Sequence, residues 1–222
     1  MNTSLNIDIV SDVSCPWCII GYQSISQALT QLAPDISAKI TWKPFELNPN
    51  MPAEGQSLEA HLHEKYGSSK ADLSATKSMI IERGKSLGFK FDFKEDGRIY
   101  NTFNAHRLLL WSREFGLQTE LKLALFALYF SEGGNPGNTD ELIKSVIKVG
   151  LPEDEARKIL ASDRYTKAVR EEEAKYQAMG ISSVPSFIIN DKYKITGGQP
   201  VEVFVSTLEK IVRDESLLHE VT

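Results

Sequence analysis

"SCPWCII" (residues 14–20) holds both cysteines of the 222-residue chain. Two cysteines three positions apart cannot build a disulfide framework for a chain of this length. They are a redox pair, half of a metal site, or small apolar residues in a core. Their surroundings say where they lie. Residues 5–10 (LNIDIV) alternate apolar and polar, then end in an apolar pair, which predicts a buried strand. After the motif, Cys18, Tyr22, Ile25, Leu29 and Leu32 recur at helical spacing, and Pro34 stops that helix. Residues 36–43 (ISAKITWK) alternate again, and Pro44 closes this second strand. The first 45 residues therefore read as strand, helix, strand, with the cysteines at the first strand-to-helix junction.

A long stretch then reads as almost wholly helical. Segments are predicted near 57–66, 73–87, 101–115, 117–131, 139–149, 152–161 and 163–179. Ser57, Asn101 and Thr139 are placed as N-caps, Gly88, Gly116, Gly150 and Gly180 as C-terminal stops, and Pro152 at a first helical position. EGGNPGN (132–138) is a loop. After Gly180 the pattern returns to strands at 184–190 and in DKYKITGG (191–198), and residues 200–212 form a closing helix. This predicts an α/β domain built from both ends of the chain (1–50 and 179–222), with an all-helical insertion (51–178) between them.

Composition narrows the function. Hydrophobic residues make up 41% and charged residues 25%, as in a water-soluble globule with a substantial core. The net charge of -5 leaves no basic footprint for nucleic acid. The longest apolar run, LKLALFALYF (121–130), is too short to span a bilayer, so no membrane partner is expected. MNTSLNIDIVSDVSC lacks the basic and apolar regions of a signal peptide. The expected location is the cytoplasm, where C-x-x-C is more often catalytic or metal-binding than a structural bridge.

Disulfide exchange requires a thiolate, and an ordinary cysteine is mostly protonated at neutral pH. A helix N-terminus favours an anion, so Cys15, at the start of the helix, is the expected thiolate. Pro16 fits the first turn, where its missing N–H costs nothing. Cys18, one turn further in, is expected to attack a mixed disulfide and release the substrate. Trp17 is expected to lie exposed beside the sulfurs, with its flat face toward a substrate. The competing zinc site would draw on His61 and His63. H-x-H is tighter than the usual spacing, and residues two apart on a helix do not share a face.

SSVPSFIIN (182–190) supplies the distant partner. A proline opening a strand suggests a cis peptide at a functional turn. With these features the sequence resembles the thioredoxin superfamily. Its helical insertion resembles the DsbA-like group, and within it the cytoplasmic FrnE-like branch. The matching words are SDVSCPWCIIG (11–21), WKPFELNP (42–49), NTFNAHRLLLWS (101–112), GISSVPSFIIN (180–190) and ITGGQP (195–200). The resemblance implies that Cys15 attacks, Cys18 resolves, and Pro185 is a cis-proline facing the pair. It also implies that the Val184 backbone pairs with an extended substrate or with glutathione. A proline there crowds the thiolates against a metal, and the pair itself carries two electrons, so no metal and no organic cofactor are expected. Protein or peptide thiols and disulfides are the expected partners, with glutathione a possible substrate.

Related kappa-class glutathione transferases and 2-hydroxychromene-2-carboxylate isomerases typically carry serine at the position of Cys15. Retention of both cysteines favours thiol–disulfide exchange over glutathione-dependent transfer or isomerisation of small aromatic substrates, which is the main alternative. A chaperone-like or zinc-bound interaction module is a second one. The Pro-Trp dipeptide, in place of the Pro-His of periplasmic DsbA, argues against a strongly oxidising potential. His106 and Arg107 are candidates to line the site, Arg107 as an anchor for a carboxylate; each also reads as a packing or ion-pair residue. Asn48 is a candidate ligand contact or a turn residue before Pro49. LKLALFALYF reads as the apolar spine of an inserted helix.

Overall fold

The computed structural model describes residues 3–220. Four strands, β1 (Thr3–Ser11), β2 (Ile36–Pro44), β5 (Ser186–Ile189) and β6 (Tyr193–Thr196), form one sheet in the order β2-β1-β5-β6. β1 runs parallel to β2, with Ile7 opposite Ile40, and antiparallel to β5, with Ile9 opposite Phe187. β5 pairs antiparallel with β6. A mixed sheet with its central strand at the chain's start and its next strand near the chain's end closes the long helical region into a loop of the fold. This is the α/β thioredoxin-like architecture with a helical insertion that the sequence predicts.

α1 (Pro16–Leu32) and α9 (Val201–Glu220) pack together on the sheet. Ile7, Ile9, Ile19, Phe187, Phe204 and Leu208 are fully buried in the shared core. Between the halves lie α2 (Leu58–Tyr66), α3 (Lys70–Ser86), α4 (Phe103–Ser112), α5 (Gln118–Phe130), α6 (Thr139–Lys148), α7 (Glu153–Leu160) and α8 (Thr166–Ala178). A two-residue ladder, β3 (Gln56–Ser57) with β4 (Arg98–Ile99), has no counterpart in the sequence reading; two residues carry no periodicity to read. Leu108, Trp111, Leu125, Leu142 and Ile159 build a second core among α4–α7.

Local capping follows the expected chemistry, with shifts of one residue. Ser57 caps α2, as expected. α4 is capped at Thr102 rather than Asn101, because the Asn101 side chain accepts the Phe103 N–H from outside the helix. α6 is capped by Asn138, whose Oδ1 accepts two N–H groups, and Thr139 is its first helical residue. Pro152 is the cap of α7 and not its first residue.

The two cores are joined at the edge of the sheet. β2 is an outer strand, and an outer strand leaves backbone groups unpaired. Gln118, at the start of α5, accepts the Trp42 N–H (2.9 Å) and donates to the Trp42 carbonyl (2.9 Å). Trp42 Nε1 also donates to Thr119 (3.0 Å). The side-chain amide thus continues the ladder and fixes α5 against the sheet.

α1 sits unusually close to the loop before β5. A Cβ added at Gly21 would lie 2.9 Å from the Phe187 ring, 3.2 Å from Pro185 and 3.3 Å from Gly198. Gly21→Ala is therefore expected to destabilise the protein by about 1–3 kcal/mol through overpacking. Urea unfolding of the two proteins checks this; an unchanged midpoint would show that the helix moves aside freely.

Candidate active site

Cys15 is the N-cap of α1 and Pro16 its first residue, so the turn before the helix sets the position of the sulfur. Both cysteines are free thiols and both are buried. They are not equivalent. Cys15 borders a chamber of about 640 Å³ together with Trp17, Asn48 and Val184. Cys18 is fully enclosed and does not border it. Opposite them the Val184–Pro185 peptide is cis, and the Val184 carbonyl oxygen lies 3.6 Å from Cys15 Sγ. Trp17 is half-buried along the chamber wall. The distant word SSVPSFIIN is thus brought onto the cysteine turn.

Behind the sulfurs is a set of buried polar groups, of which the sequence reading named His106 but missed Asp12 and Lys122. Asp12 is buried just before the motif. Its carboxylate accepts the Leu47 N–H (2.7 Å) and the Ser14 N–H (3.3 Å), and its carbonyl accepts the Cys15 N–H (3.2 Å). His106 Nε2 stands 3.5 Å from Asp12 Oδ1, near enough for attraction but without a hydrogen-bond partner of its own. Burial pushes the Asp12 carboxyl up, yet His106, the Leu47 N–H and Lys122 together hold it below the usual carboxylate range. Lys122, from α5, is buried, its ammonium 5.3 Å from the Trp42 ring centre and 5.0 Å from that of Phe126. Burial lowers its pKa to about 8, against the upward pull of Cys18, Asp12 and Cys15. A lysine inside LKLALFALYF was the one visible signal, since a charge in an apolar helix run is buried only with partners.

The two thiols meet different surroundings. The hydrogen bond with Cys18, followed by burial, pushes the Cys15 thiol well up. The Val184 carbonyl facing its sulfur also favours the protonated form. Burial opposes ionisation of Cys18, but the Cys15 thiol, Ser11 and Lys122 outweigh it and lower its pKa. The surroundings thus act in opposite directions on the two thiols, up on Cys15 and down on Cys18. The expected thiolate at Cys15 is thus set against a second influence: the helix terminus acts on Cys15, and the buried Lys122 of α5 acts on Cys18.

The other candidates divide. Asn48 borders the chamber, and its Oδ1 accepts from Lys65 Nζ at 2.9 Å. His106 does not border the chamber; it lies behind the cysteine turn against Asp12. Arg107 is no substrate anchor. It is buried and donates to the carbonyls of Ile159, Ser162 and Arg164 and to Asn104 Oδ1, closing the end of α7 onto α4. His61 borders the chamber and bonds Gln56 Oε1 at 2.8 Å, whereas His63 meets the Ser68 carbonyl at 3.2 Å. Among the described residues no group of three or more His, Cys, Asp or Glu is placed to hold a metal.

The loop carrying Leu47 and Asn48 is itself pinned by charge. Arg170 on α8 bonds both Glu46 and Glu173, and each carboxylate keeps one buried oxygen without a partner. Burial and then the Glu173 charge raise the Glu46 pKa to about 7, against Arg170.

The profile of the DSBA-like thioredoxin domain family matches residues 6–209. The chain belongs to this family. It is 27% identical over 213 residues to the uncharacterized protein YwbO of Bacillus subtilis, covering 96% of this chain and 98% of that protein. The probable DsbA oxidoreductase SCO1869 of Streptomyces coelicolor has a similar structure (TM-score 0.86, 27% identity, 93% of this chain and 89% of that one). The cytosolic disulfide reductase DsbM of Pseudomonas aeruginosa, solved with GSH, shares the fold (TM-score 0.63, 15% identity, 94% and 99% covered).

Two consequences can be measured. Lys122→Met removes the cation near Cys18, so the apparent pKa of the first thiol ionisation should rise by about one pH unit or more. Thiolate absorbance at 240 nm follows it, and an unmoved titration would show that Lys122 does not hold the charge. Glu46 titrates near 7 in the folded chain and near its ordinary 4.5 unfolded. Its raised pKa disfavours folding above about pH 7, and that effect fades as the pH falls toward 4.5. Glu46→Gln should therefore raise the melting temperature at pH 8 relative to that at pH 5, compared with the parent, as read by calorimetry at both pH values.

Proposed function

We propose that this DSBA-family chain is a thiol–disulfide oxidoreductase in which Cys15 attacks and Cys18 resolves. The observation that carries the reading is the difference in depth: Cys15 meets the chamber, and Cys18 lies enclosed behind it beside a buried lysine. A substrate disulfide can reach only Cys15. As it arrives, the proton passes from Cys15 to Cys18, and the Cys15 thiolate attacks one substrate sulfur. A Cys15–substrate disulfide forms and the other substrate half leaves as a thiolate. Cys18 then loses its proton and attacks Cys15 Sγ, releasing the second half as a thiol. The substrate gains two electrons and the protein ends with a Cys15–Cys18 disulfide. Run backwards, the same steps oxidise a dithiol.

Asp12 and Lys122 are the groups near enough to accommodate charge as the Cys18 proton leaves. Trp17 and the Val184 backbone are the substrate contacts, with Asn48 beside them and Pro185 shaping that wall. Protein or peptide thiols and disulfides, or low-molecular-weight thiols including glutathione, are the partners this chemistry serves. No metal or organic cofactor enters these steps. The sequence resemblance carries the FrnE-like role, and the likeness to a cytosolic disulfide reductase is in line with a cytoplasmic one.

The glutathione-dependent transferase or isomerase reading draws support from the size of the chamber, but the second cysteine has no part in it. Under the exchange reading, Cys15→Ser should lower disulfide reduction by about three orders of magnitude or more. Cys18→Ser should trap a mixed disulfide on Cys15, seen by mass spectrometry. Glutathione conjugation or isomerisation that survives Cys18→Ser, with no trapped species, would favour the transferase reading instead.

A further inference from the structure

The chamber in front of Cys15 is larger and more selective in its lining than exchange chemistry requires. Its volume of about 640 Å³ is that of a pocket for a drug-sized molecule. α2 contributes to its wall in an uneconomical way. This helix buries none of its residues, yet Leu58 and Leu62 face the chamber half-buried, joined by Leu73 from α3. Phe93 and Tyr129 continue this apolar lining. Surface of this kind stays exposed unless an occupant covers it.

The charges at the wall are unbalanced in one direction. Lys65, Lys77, Lys94 and Arg98 border the chamber against Asp92 and Asp96, in a chain whose net charge is -5. Lys94 is paired with Asp92 at 2.9 Å, and Arg98 is held by the carbonyls of Glu54 and Gly55. Lys65 is different. Its ammonium is held by two neutral oxygens, Leu47 O (3.0 Å) and Asn48 Oδ1 (2.9 Å), and among the described residues no carboxylate lies within salt-bridge distance. The loop beside Cys15 thus fixes a cation in place without neutralising it.

We propose that the chamber takes a small disulfide with an apolar, aromatic-sized body and a carboxylate, and that Lys65 is the specificity residue that reads the carboxylate. This rests on the exchange chemistry proposed above and names its substrate class. The apolar body would cover Leu58, Leu62 and Leu73, and the carboxylate would take up the unneutralised charge of Lys65. The step itself is unchanged: the substrate disulfide is reduced to two thiols as the Cys15–Cys18 pair is oxidised.

The test is single-turnover oxidation of the reduced full chain by four disulfides. These are 5,5′-dithiobis(2-nitrobenzoate), uncharged 4,4′-dithiodipyridine, oxidised glutathione and cystamine. Each rate is divided by that of free dithiothreitol with the same disulfide, which removes intrinsic reactivity. The normalised rate should be at least about ten-fold higher for the aromatic carboxylate than for the uncharged aromatic or for oxidised glutathione. Lys65→Met should lower the ratio of carboxylate to uncharged aromatic about ten-fold, and Lys65→Arg should restore most of it. Leu62→Asn should lower both aromatic rates relative to cystamine. Normalised rates equal across the panel, or a ratio unmoved by Lys65→Met, would overturn the substrate assignment while leaving exchange intact. A reduced protein that none of the four oxidises would overturn the exchange reading itself.

Discussion

Asp12 is the constraint on which the site depends. It is a buried carboxylate in the turn between the first strand and the first helix, and it is held by groups from three other parts of the chain. The Leu47 N–H comes from the loop after β2, His106 from α4 and Lys122 from α5. Its own carbonyl meanwhile accepts the Cys15 N–H. A buried carboxylate is tolerable only with such partners, and removing one partner of a buried charge costs more than the pair contributes. The cysteine turn is therefore linked to two helices of the insertion as well as to its own strand. Placing the motif at a strand-to-helix junction is a local matter; fixing and charging it is a long-range one.

The same division explains what the sequence could and could not reveal. β1, α1 and β2 are legible because each is a periodic segment bounded by a proline or by the motif itself. The helices of the insertion are legible within a few residues because glycine and small polar caps mark their ends. The pairing of SSVPSFIIN with the cysteine turn was readable only through resemblance, since nothing local in those nine residues refers to residues 14–20. Lys122 was passed over as part of an apolar run because pattern alone does not say which side of a helix meets a buried carboxylate. Arg107 failed as a ligand contact for a similar reason. A free guanidinium and one closing the end of a neighbouring helix look alike in sequence, and three backbone carbonyls decide between them.

The insertion contributes more than scaffolding. A helix N-terminus next to Cys15 would on its own stabilise charge at the entrance of the site. The buried ammonium on α5 draws that charge inward, toward Cys18, and the Val184 carbonyl disfavours it at Cys15. In the exchange proposed above, the outer sulfur, that of Cys15, stays protonated at rest. The nucleophile appears only when the proton crosses between the two sulfurs. Reactivity toward stray oxidants is then lower than an exposed thiolate would show, because attack requires the thiolate and not the thiol.

The chamber follows from the same geometry. α2 and α3 are the part of the insertion least embedded in either core: α2 buries no residue, and α3 buries only Ile80 and Gly84. A helix pair retained with so little core packing must owe its position to other contacts. One such contact is Lys65, whose ammonium reaches back to Leu47 and Asn48, on the loop whose neighbouring N–H holds Asp12. α2 and the innermost carboxylate thus meet through two consecutive residues, Leu47 and Asn48. Occupation of the chamber at Lys65 would act on the segment that positions the cysteine turn. Lys65 and Asp12 share one residue, Leu47, the first through its carbonyl and the second through its N–H.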